Sequence, residues 1–522
     1  MSSDPTPSHP RTHPAPLPPP TATSPLVLAG LREDLRRAAY TVEGLDGLLG
    51  PVAASALHRE QPLPATRATE GTAGGAAATL VRCFVLGLPV GSLDLEVALP
   101  RTGVGGLLGL GLVRRSADGE GGHRVTVRAT CDLRPYGTEQ ETWWVASDLS
   151  ELAVGGPLPT DHVLGIGGAS TTLASWTPRP RVGRALDLGT GCGVQALHLA
   201  GHTGERTVTD LSDRALAFAR FTLALNGVDA DVRHGSLLEP VQGERFDLIV
   251  TNPPFVITPR RADVPLYEYR DGGEAGDALV AGLVRDLPDH LEPGGVAQLL
   301  ANWELRTGED WRERVGGWLA GTGLDAWVVQ REVQDVAEYA ETWARDGGHR
   351  PGTPGFEVLY AAWLDDFAAR GVERVGFGVL TLQRPATVRE PWLDLVEVPH
   401  PVAAPMGPTI LAGLQARTWL AEHDEDDLLD VAWRVTDDVT EQRVGRPGAV
   451  DPAVIQLRQG GGLRRVVRLD TLGAGLVGAC DGELTARQLC SGLAVLTEAS
   501  VDDVVPAVLP LLRELVADGL LR

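Results

Sequence analysis

The residue types best able to do chemistry stand at Asn252-Pro253-Pro254-Phe255, directly after the apolar run FDLIVT at 246–251. Two successive prolines fix φ and remove two N–H donors, which leaves the local carbonyls and the Asn252 amide oxygen as acceptors. Such a site suits a group with two N–H hydrogens to give. A planar amide or exocyclic amine is a poor nucleophile, because its lone pair is delocalised into the adjoining π system. Holding its N–H groups on Asn252 and the Pro253 carbonyl would pull the nitrogen toward tetrahedral geometry, with Phe255 lying against the planar group. The bland alternative is a Pro-Pro turn that merely ends a strand, and the neighbouring motifs weigh against it.

Those motifs begin at Asp187-Leu188-Gly189-Thr190-Gly191-Cys192-Gly193, an apolar run ending in an acid and a glycine-rich turn. Glycines there let the backbone pass close to a ligand at the carboxyl end of a first strand, where open α/β sheets bind cofactors. The nicotinamide fingerprint GxGxxG would need glycine at 194, where Val194 stands, and its pyrophosphate would not favour Asp187 beside it. A methyl donor fits better. Asp210, in Thr209-Asp210-Leu211-Ser212, comes 23 residues after Asp187 (210 − 187). At a strand tip its carboxylate can accept both ribose hydroxyls of an adenosine, while Ser212 suits the cap of the next helix. Gly235-Ser236-Leu237 ends a third run, where backbone amides and a small side chain could read an adenine edge. The lone pair of a nitrogen held at 252–255 is then aimed at a sulfonium methyl, and no separate strong base is needed.

Positioning these tips requires a parallel sheet covered on both faces. The runs RALDLG, ERTVTDL, DADVRHG, FDLIVTN, GGVAQLLAN, DAWVVQR and RVGFGVLTLQ are strands in order, alternating with helical stretches between 150 and 385. The fold class expected is α/β, a doubly wound, mostly parallel, seven-stranded Rossmann-like sheet. Residues 1–25, rich in Pro, Ser, Thr and His, read as a disordered tail. In 26–149, LREDLRRAAY and AAATLVRCFVLG read as helices; VGGLLGLGLVRR, the turn ADGEGG and HRVTVRAT follow as a helix leading into a hairpin, a winged-helix-like accessory domain. After a proline-bearing linker, 386–522 forms a C-terminal accessory domain. Its acidic run AEHDEDDLLD reads as a solvated surface, and its end as helical or winged-helix-like.

DLGTGCG, the acid of TDLS, and FDLIVTNPPF together resemble the class I S-adenosylmethionine-dependent methyltransferases with an NPPY or NPPF signature, of the methyltransferase small domain type. That group includes release-factor glutamine N5-methyltransferases and enzymes methylating exocyclic amines of adenine or guanine in RNA and DNA. The resemblance covers about 161–384 and implies S-adenosyl-L-methionine as cofactor. It implies Asp187, Gly189, Gly191 and Gly193 along the methionine part and Asp210 at the ribose, with Thr190, Leu211, Ser236 and Leu237 completing the cofactor set. Asn252, Pro253, Pro254 and Phe255 would hold the target nitrogen. Arg270-Asp271-Gly272-Gly273 and Leu291-Glu292-Pro293-Gly294-Gly295 are similar to segments of the glutamine-modifying branch. That branch carries an acid where Ser236 stands and more often a tyrosine at Phe255, so the substrate stays open between a release-factor-like protein and a base amine in rRNA or tRNA. Asp161 to Thr172 resembles the lead-in that closes over the methyl donor.

The remaining features bound the function. A formal charge of -23 repels polyanions at long range, which argues against a non-specific nucleic-acid coat and leaves room for a local basic groove. All basic residues other than histidine are arginine. No run of about 20 apolar residues and no charged-then-apolar leader is present, so a cytoplasmic protein without a membrane partner is expected. Cys83, Cys131, Cys192, Cys480 and Cys490 are too scattered for a zinc site or a disulfide framework. His198 and His202 lack the intervening glutamate of a zinc-protease helix and read as exposed. Trp143, Trp144, Trp303, Trp311, Trp318, Trp327, Trp343 and Trp363 suit packing more than base stacking. The rival class is a non-catalytic scaffold that binds the cofactor or RNA; paired acceptors beside a methyl donor speak against it.

Overall fold

A computed structural model describes residues 17–71, 75–116, 125–138, 141–154, 158–262, 264–448 and 450–522. The chain forms two units, one of residues 1–165 with 217–227, the other of 166–216 with 228–522.

In the first unit, the helix Pro25–Arg37 buries Leu28, Leu31 and Leu35 on one side, as their helical spacing dictates. Asp34 is buried with them, because its carboxylate accepts from the Arg101 and Thr102 amides and the Thr102 hydroxyl. A helix Gly75–Leu80 runs into a π-helical turn Val81–Val85. A two-residue strand Val90–Gly91, helices Ser92–Ala98 and Gly103–Gly109, and strands Val113–Arg115 and Thr126–Ala129 follow. The last strand lies between the other two, antiparallel to both. The expected turn ADGEGG falls outside the described residues. A second hairpin, Asp132–Gly137 with Thr142–Ser147, carries Trp143 and Trp144 and was not foreseen. Of the expected disordered tail, 1–16 lie outside the described residues; further along, Pro20 is buried and the Thr21 amide donates to the Leu110 carbonyl.

The second unit is built on one sheet of strands β1 (Val182–Leu188), β2 (Thr203–Asp210), β3 (Asp231–His234), β4 (Phe246–Thr251), β5 (Leu291–Arg306), β6 (Asp325–Asp335), β7 (Val372–Gln383) and β8 (Leu393–Glu397), in spatial order β8-β6-β7-β5-β4-β1-β2-β3. β1 to β5 pair in parallel, and β7 runs antiparallel to both β5 and β6. Successive side chains point to opposite faces, and both faces are buried. Leu186, Ile249 and Leu299 pack under the helices α1 (Ala278–Asp286) and α2 (Trp311–Leu319), whereas Ala185, Leu248 and Leu300 pack on the other face against Trp176, Ile410 and Leu414.

The seven expected strands are all present, and β8 makes eight, so the count of seven and the boundary at 385 are corrected. β8 runs parallel to β6. The reason is a buried acid: Asp325 accepts from Arg389 at 2.7 and 2.5 Å and from the Trp392 amide at 3.0 Å, which fastens the expected linker to the sheet. The helix Gly407–Glu422 likewise covers this sheet; at Gly413 an added Cβ would come within 2.4 Å of the Trp327 ring. Arg417 on that helix joins Asp394 of β8 to Asp518 near the C-terminal end. The acidic run is more than solvated surface, since Asp424 and Asp427 form the capping box of a short helix Glu425–Asp430. Three antiparallel strands, Val439–Val444, Val454–Gln459 and Val466–Leu469, were not foreseen, and precede the helices Thr471–Gly478, Ala486–Leu496 and Val501–Ala517. The last two match the expected helical end, with Thr485 and Gln488 as a capping box.

Candidate active site

Strand register brings the motifs together. Leu188 pairs with Thr209 of β2 on one side and with Thr251 of β4 on the other. Gly189, Asp210 and Asn252 are therefore the next residues on three neighbouring strands about 5 Å apart. The turn after β1 is closed by the Gly189 and Thr190 amides, both donating to the Thr209 carbonyl at 2.9 Å. Gly189, Gly191 and Gly193 have φ of 71°, 55° and 89°, the left-handed region that only glycine enters cheaply. A Cβ at Gly189 or Gly191 would meet no atom within 4 Å, so open space lies over this turn.

Asp187 holds the turn from beneath. It is 1% exposed, and its Oδ2 accepts from the Thr190 hydroxyl at 2.6 Å and the Ala196 amide at 3.0 Å. Burial pushes its carboxyl up to about 7, against the pull of those two bonds. Asp210 closes the other side, with Oδ2 accepting from the Gly191 amide and Oδ1 from the Ser212 amide, each at 2.9 Å. Burial raises its carboxyl as well. The carboxylate as a whole keeps capacity for a further donor. Ser212 Oγ accepts from the Ala215 amide at 3.5 Å, a long version of the expected cap. Leu211 is 62% exposed at the tip of β2, an apolar surface beside the glycine turn. The Gly235 amide donates to the Asp210 carbonyl, Ser236 is exposed, and Leu237 is half-buried with φ of 45°. Open space over a left-handed turn, a carboxylate with spare lone pairs and an exposed leucine fit an adenosine-bearing methyl donor.

Beside this cradle, the Asn252 Oδ1 atom is buried and has no hydrogen-bond partner. Pro253 is buried, and Pro254 and Phe255 are half-buried. Phe255 forms an isolated antiparallel bridge with Asp271, and the Val256 amide donates to the Arg270 carbonyl at 2.9 Å. In this pairing the two facing side chains lie on the same side of the ribbon. Asp271 Oδ1 accepts from Arg260 Nη2 at 2.5 Å and from the Gly273 amide at 2.9 Å, while Oδ2 is buried without a partner. A second unused acceptor thus stands near the Asn252 motif.

The segment beyond the motif is pinned by helices Val336–Asp346 (α3) and Pro354–Arg370 (α4). The Ile257 amide donates to the Tyr339 hydroxyl at 2.9 Å, and Trp363 Nε1 donates to the Ile257 carbonyl at 2.8 Å. Asn302 Nδ2 also donates to Tyr339, whose phenol is raised by burial. Arg270 is buried against the Tyr267 ring and ion-paired with Asp346 at 2.7 Å. Sequence reasoning missed the parts of Tyr339, Trp363 and the Asp271 carboxylate. Asp271 lay in a segment that drew notice and Trp363 was read only as a packing residue; Tyr339 and Trp363 act across 82 and 106 residues, where no short pattern reaches.

The other candidates resolve plainly. His198 is buried, not exposed as expected; it lies 3.1 Å from Arg179, and burial and that guanidinium push it down to about 4. His202 is half-buried, its Nδ1 3.0 Å from the Pro180 carbonyl. All five cysteines are buried and none forms a disulfide, and of the eight tryptophans only Trp343 is more than marginally exposed. Among the described residues no cluster could hold a metal, and no helix is long and apolar enough to cross a membrane. The expected lead-in divides between the two units after Gly165. Its second half begins a helix, Gly168–Trp176, whose Ser170 carbonyl accepts from Gln195 just beyond the glycine turn.

Three family models match the chain. Residues 37–161 match a domain of unknown function, DUF7059; 165–317 match the methyltransferase small domain; and 412–522 match a second domain of unknown function, DUF7782. Ribosomal RNA small subunit methyltransferase C of Salmonella arizonae is 34% identical over 137 residues, which are 26% of this chain and 35% of that protein. The protein of the same name from Alcanivorax borkumensis is 34% identical over 123 residues, 24% of this chain and 33% of its own. The chain thus spans about a third of the length of these relatives. A T. thermophilus 16S rRNA N2 methyltransferase, solved with AdoMet and guanosine, is 19% identical with a TM-score of 0.25, covering 51% of this chain and 68% of that one. The glycine turn, Asp210 and the Asn252 motif lie within the residues matched by the small-domain model, and this part of the chain is a class I methyltransferase domain that uses S-adenosylmethionine.

Proposed function

We propose that the whole protein transfers a methyl group from S-adenosylmethionine to an exocyclic amine of a base in structured RNA. One observation carries the reading: Asn252 Oδ1 is a buried acceptor without a partner, one residue past the register pair that aligns β4 with the glycine turn. An unpaired buried acceptor costs about 1–3 kcal/mol, a cost a binding scaffold has no reason to carry.

Gly189 to Gly193 and Asp210 would hold the cofactor, with Leu211, Ser236 and Leu237 about its adenine. When bound, it supplies an electrophilic methyl group on a sulfonium. The chain's own part is to position the nitrogen. Asn252 Oδ1 and the Pro253 carbonyl accept its two N–H groups, and Phe255 supports the ring plane. The lone pair leaves conjugation and points over the turn, so orientation provides most of the acceleration. After transfer the surplus proton stays against Asn252 Oδ1 until water takes it.

RNA is favoured over a protein glutamine because the relatives matching this domain are named for ribosomal RNA. The succession of helix, short strand, two helices and two strands in 75–129 follows the order of a winged helix, which supports a nucleic-acid role for the first unit. The C-terminal strands come before their helices, so no winged helix is proposed there. A cytoplasmic site of action goes with this substrate. Labelled-methyl transfer into a cell extract tests the reading: label that RNase releases and protease leaves is expected, and label released by protease alone would refute it.

A further inference from the structure

The C-terminal three-stranded sheet buries one face and leaves the other open. Leu457, Val467 and Leu469 point into the core formed with the last helices. The outward residues fall in register as two rows, Gln442 opposite Gln456 opposite Arg468, and Thr440 opposite Arg458 opposite Val466. Gln456 donates to Gln442 across the strands at 3.0 Å. Arg458 and Arg468 are exposed diagonal neighbours, about 7–8 Å apart. No carboxylate is among the outward residues of the three strands, and neither arginine has an ion-pair partner among the described residues. By contrast Arg443 pairs with Glu441, and Arg465 with Asp518.

This face is at odds with the chain around it. Residues 439–469 hold six arginines against two carboxylates, in a protein of formal charge -23. A polyanion repelled by the whole surface can be held only where the local sign is reversed and the guanidinium groups are free. The face is also fixed to the catalytic sheet. Leu463, in the turn joining the second and third strands, belongs to the core around Leu248 and Trp327, and its carbonyl lies 2.8 Å from His400 Nε2. The Ala403 amide donates to Gly462 at 2.8 Å.

We infer that the open face of this sheet, centred on Arg458 and Arg468, docks the phosphate backbone of the RNA substrate and sets its position relative to the methyl-transfer site. The inference rests on the RNA reading above and adds the surface that overcomes the chain's own negative charge. Planar amides and guanidinium groups on a flat face grip a backbone without reading sequence.

Filter binding of a labelled small-subunit rRNA transcript by the full chain, over a range of salt, tests it. R458E/R468E is expected to bind at least about tenfold more weakly at 0.1 M salt. R458Q/R468Q should lower the slope of log affinity against log salt by about 1.4–1.8, as two lost phosphate contacts require. R220E/R285E, with the charge change of the first variant at two other exposed arginines, should keep a larger share of the affinity than R458E/R468E. S-adenosylmethionine affinity and the melting temperature should not move in any variant, which separates lost docking from lost folding. Undiminished RNA binding by R458E/R468E, or equal weakening by R220E/R285E, overturns the docking face alone. A wild-type chain that binds S-adenosylmethionine and polyglutamate but no RNA overturns the substrate reading as well.

Discussion

Phe255 and Asp271 face each other across one antiparallel bridge, so the ring that ends the Asn-Pro-Pro-Phe motif and a carboxylate 16 residues later (271 − 255) stand on the same side of the ribbon. Asp271 keeps one oxygen engaged with Arg260 and Gly273 and the other unused.

If that unused oxygen meets the target ring, Asp271→Asn should impair transfer more than folding, because the amide can keep one acceptor and turns a donor toward the ring. A fall of about 10²-fold in kcat/KM is expected with unchanged cofactor affinity. Steady-state kinetics beside calorimetric titration of S-adenosylmethionine would show it; unchanged kinetics would exclude contact with the substrate.

Asn252→Ala removes the acceptor on which the mechanism turns. The single-turnover rate should drop about 10²–10³-fold, the range for loss of one preorganised polar group. S-adenosylmethionine should bind as before, since Asn252 lies beyond the glycine turn. Transfer at the wild-type rate would end the proposed role.

Asp187 makes stability depend on pH. Its carboxyl is held up to about 7 in the folded protein, against about 3.9 in an unfolded chain. Between about pH 4 and 7 the folded state therefore binds more protons at this residue, and its contribution to stability falls as pH rises, by up to about 1.4 kcal/mol per pH unit. Above pH 7 that contribution is flat. Urea unfolding of Asp187→Asn across this window should lose this part of the slope; a slope equal to that of the wild type would show that the residue titrates elsewhere.

Tyr339→Phe leaves the buried Ile257 amide without its acceptor. A loss of about 1–3 kcal/mol in unfolding free energy is expected, with a lower kcat from a loosened 255–258 segment. Denaturant melts and initial rates measure the two effects, and a variant as stable as the wild type would show that water replaces the phenol.

How much of this was legible in the sequence depends on the range of each interaction. The seven strands and the register of Gly189, Asp210 and Asn252 follow from apolar runs ending in glycine, acid or proline, all local signals. β8 was missed because its place is set by Asp325 and Arg389, 64 residues apart, and Pro385 read as the end of a domain. The three C-terminal strands alternate only weakly, with Glu441 and Arg443 at positions that face inward in the register, which blurs the period-two pattern. His198 looked exposed because a histidine on a short helix carries no mark of the Arg179 contact, 19 residues away in sequence, that goes with its burial. The site's acceptors could be named from residue type, but that Asn252 and Asp271 each keep an oxygen unused is a property of the assembled neighbourhood.

The Asp325 clasp on Arg389 and Trp392 also makes Pro385 a poor place to cut the chain. Cut at 385, where proline invites a boundary, the domain would lose β8 and bare the backbone of β6 along one side. Naked strands of this kind recruit one another, so such a fragment should precipitate. A fragment that keeps that edge paired has to run on past Glu397, and one that keeps the sheet face under the helix Gly407–Glu422 covered has to run past Glu422.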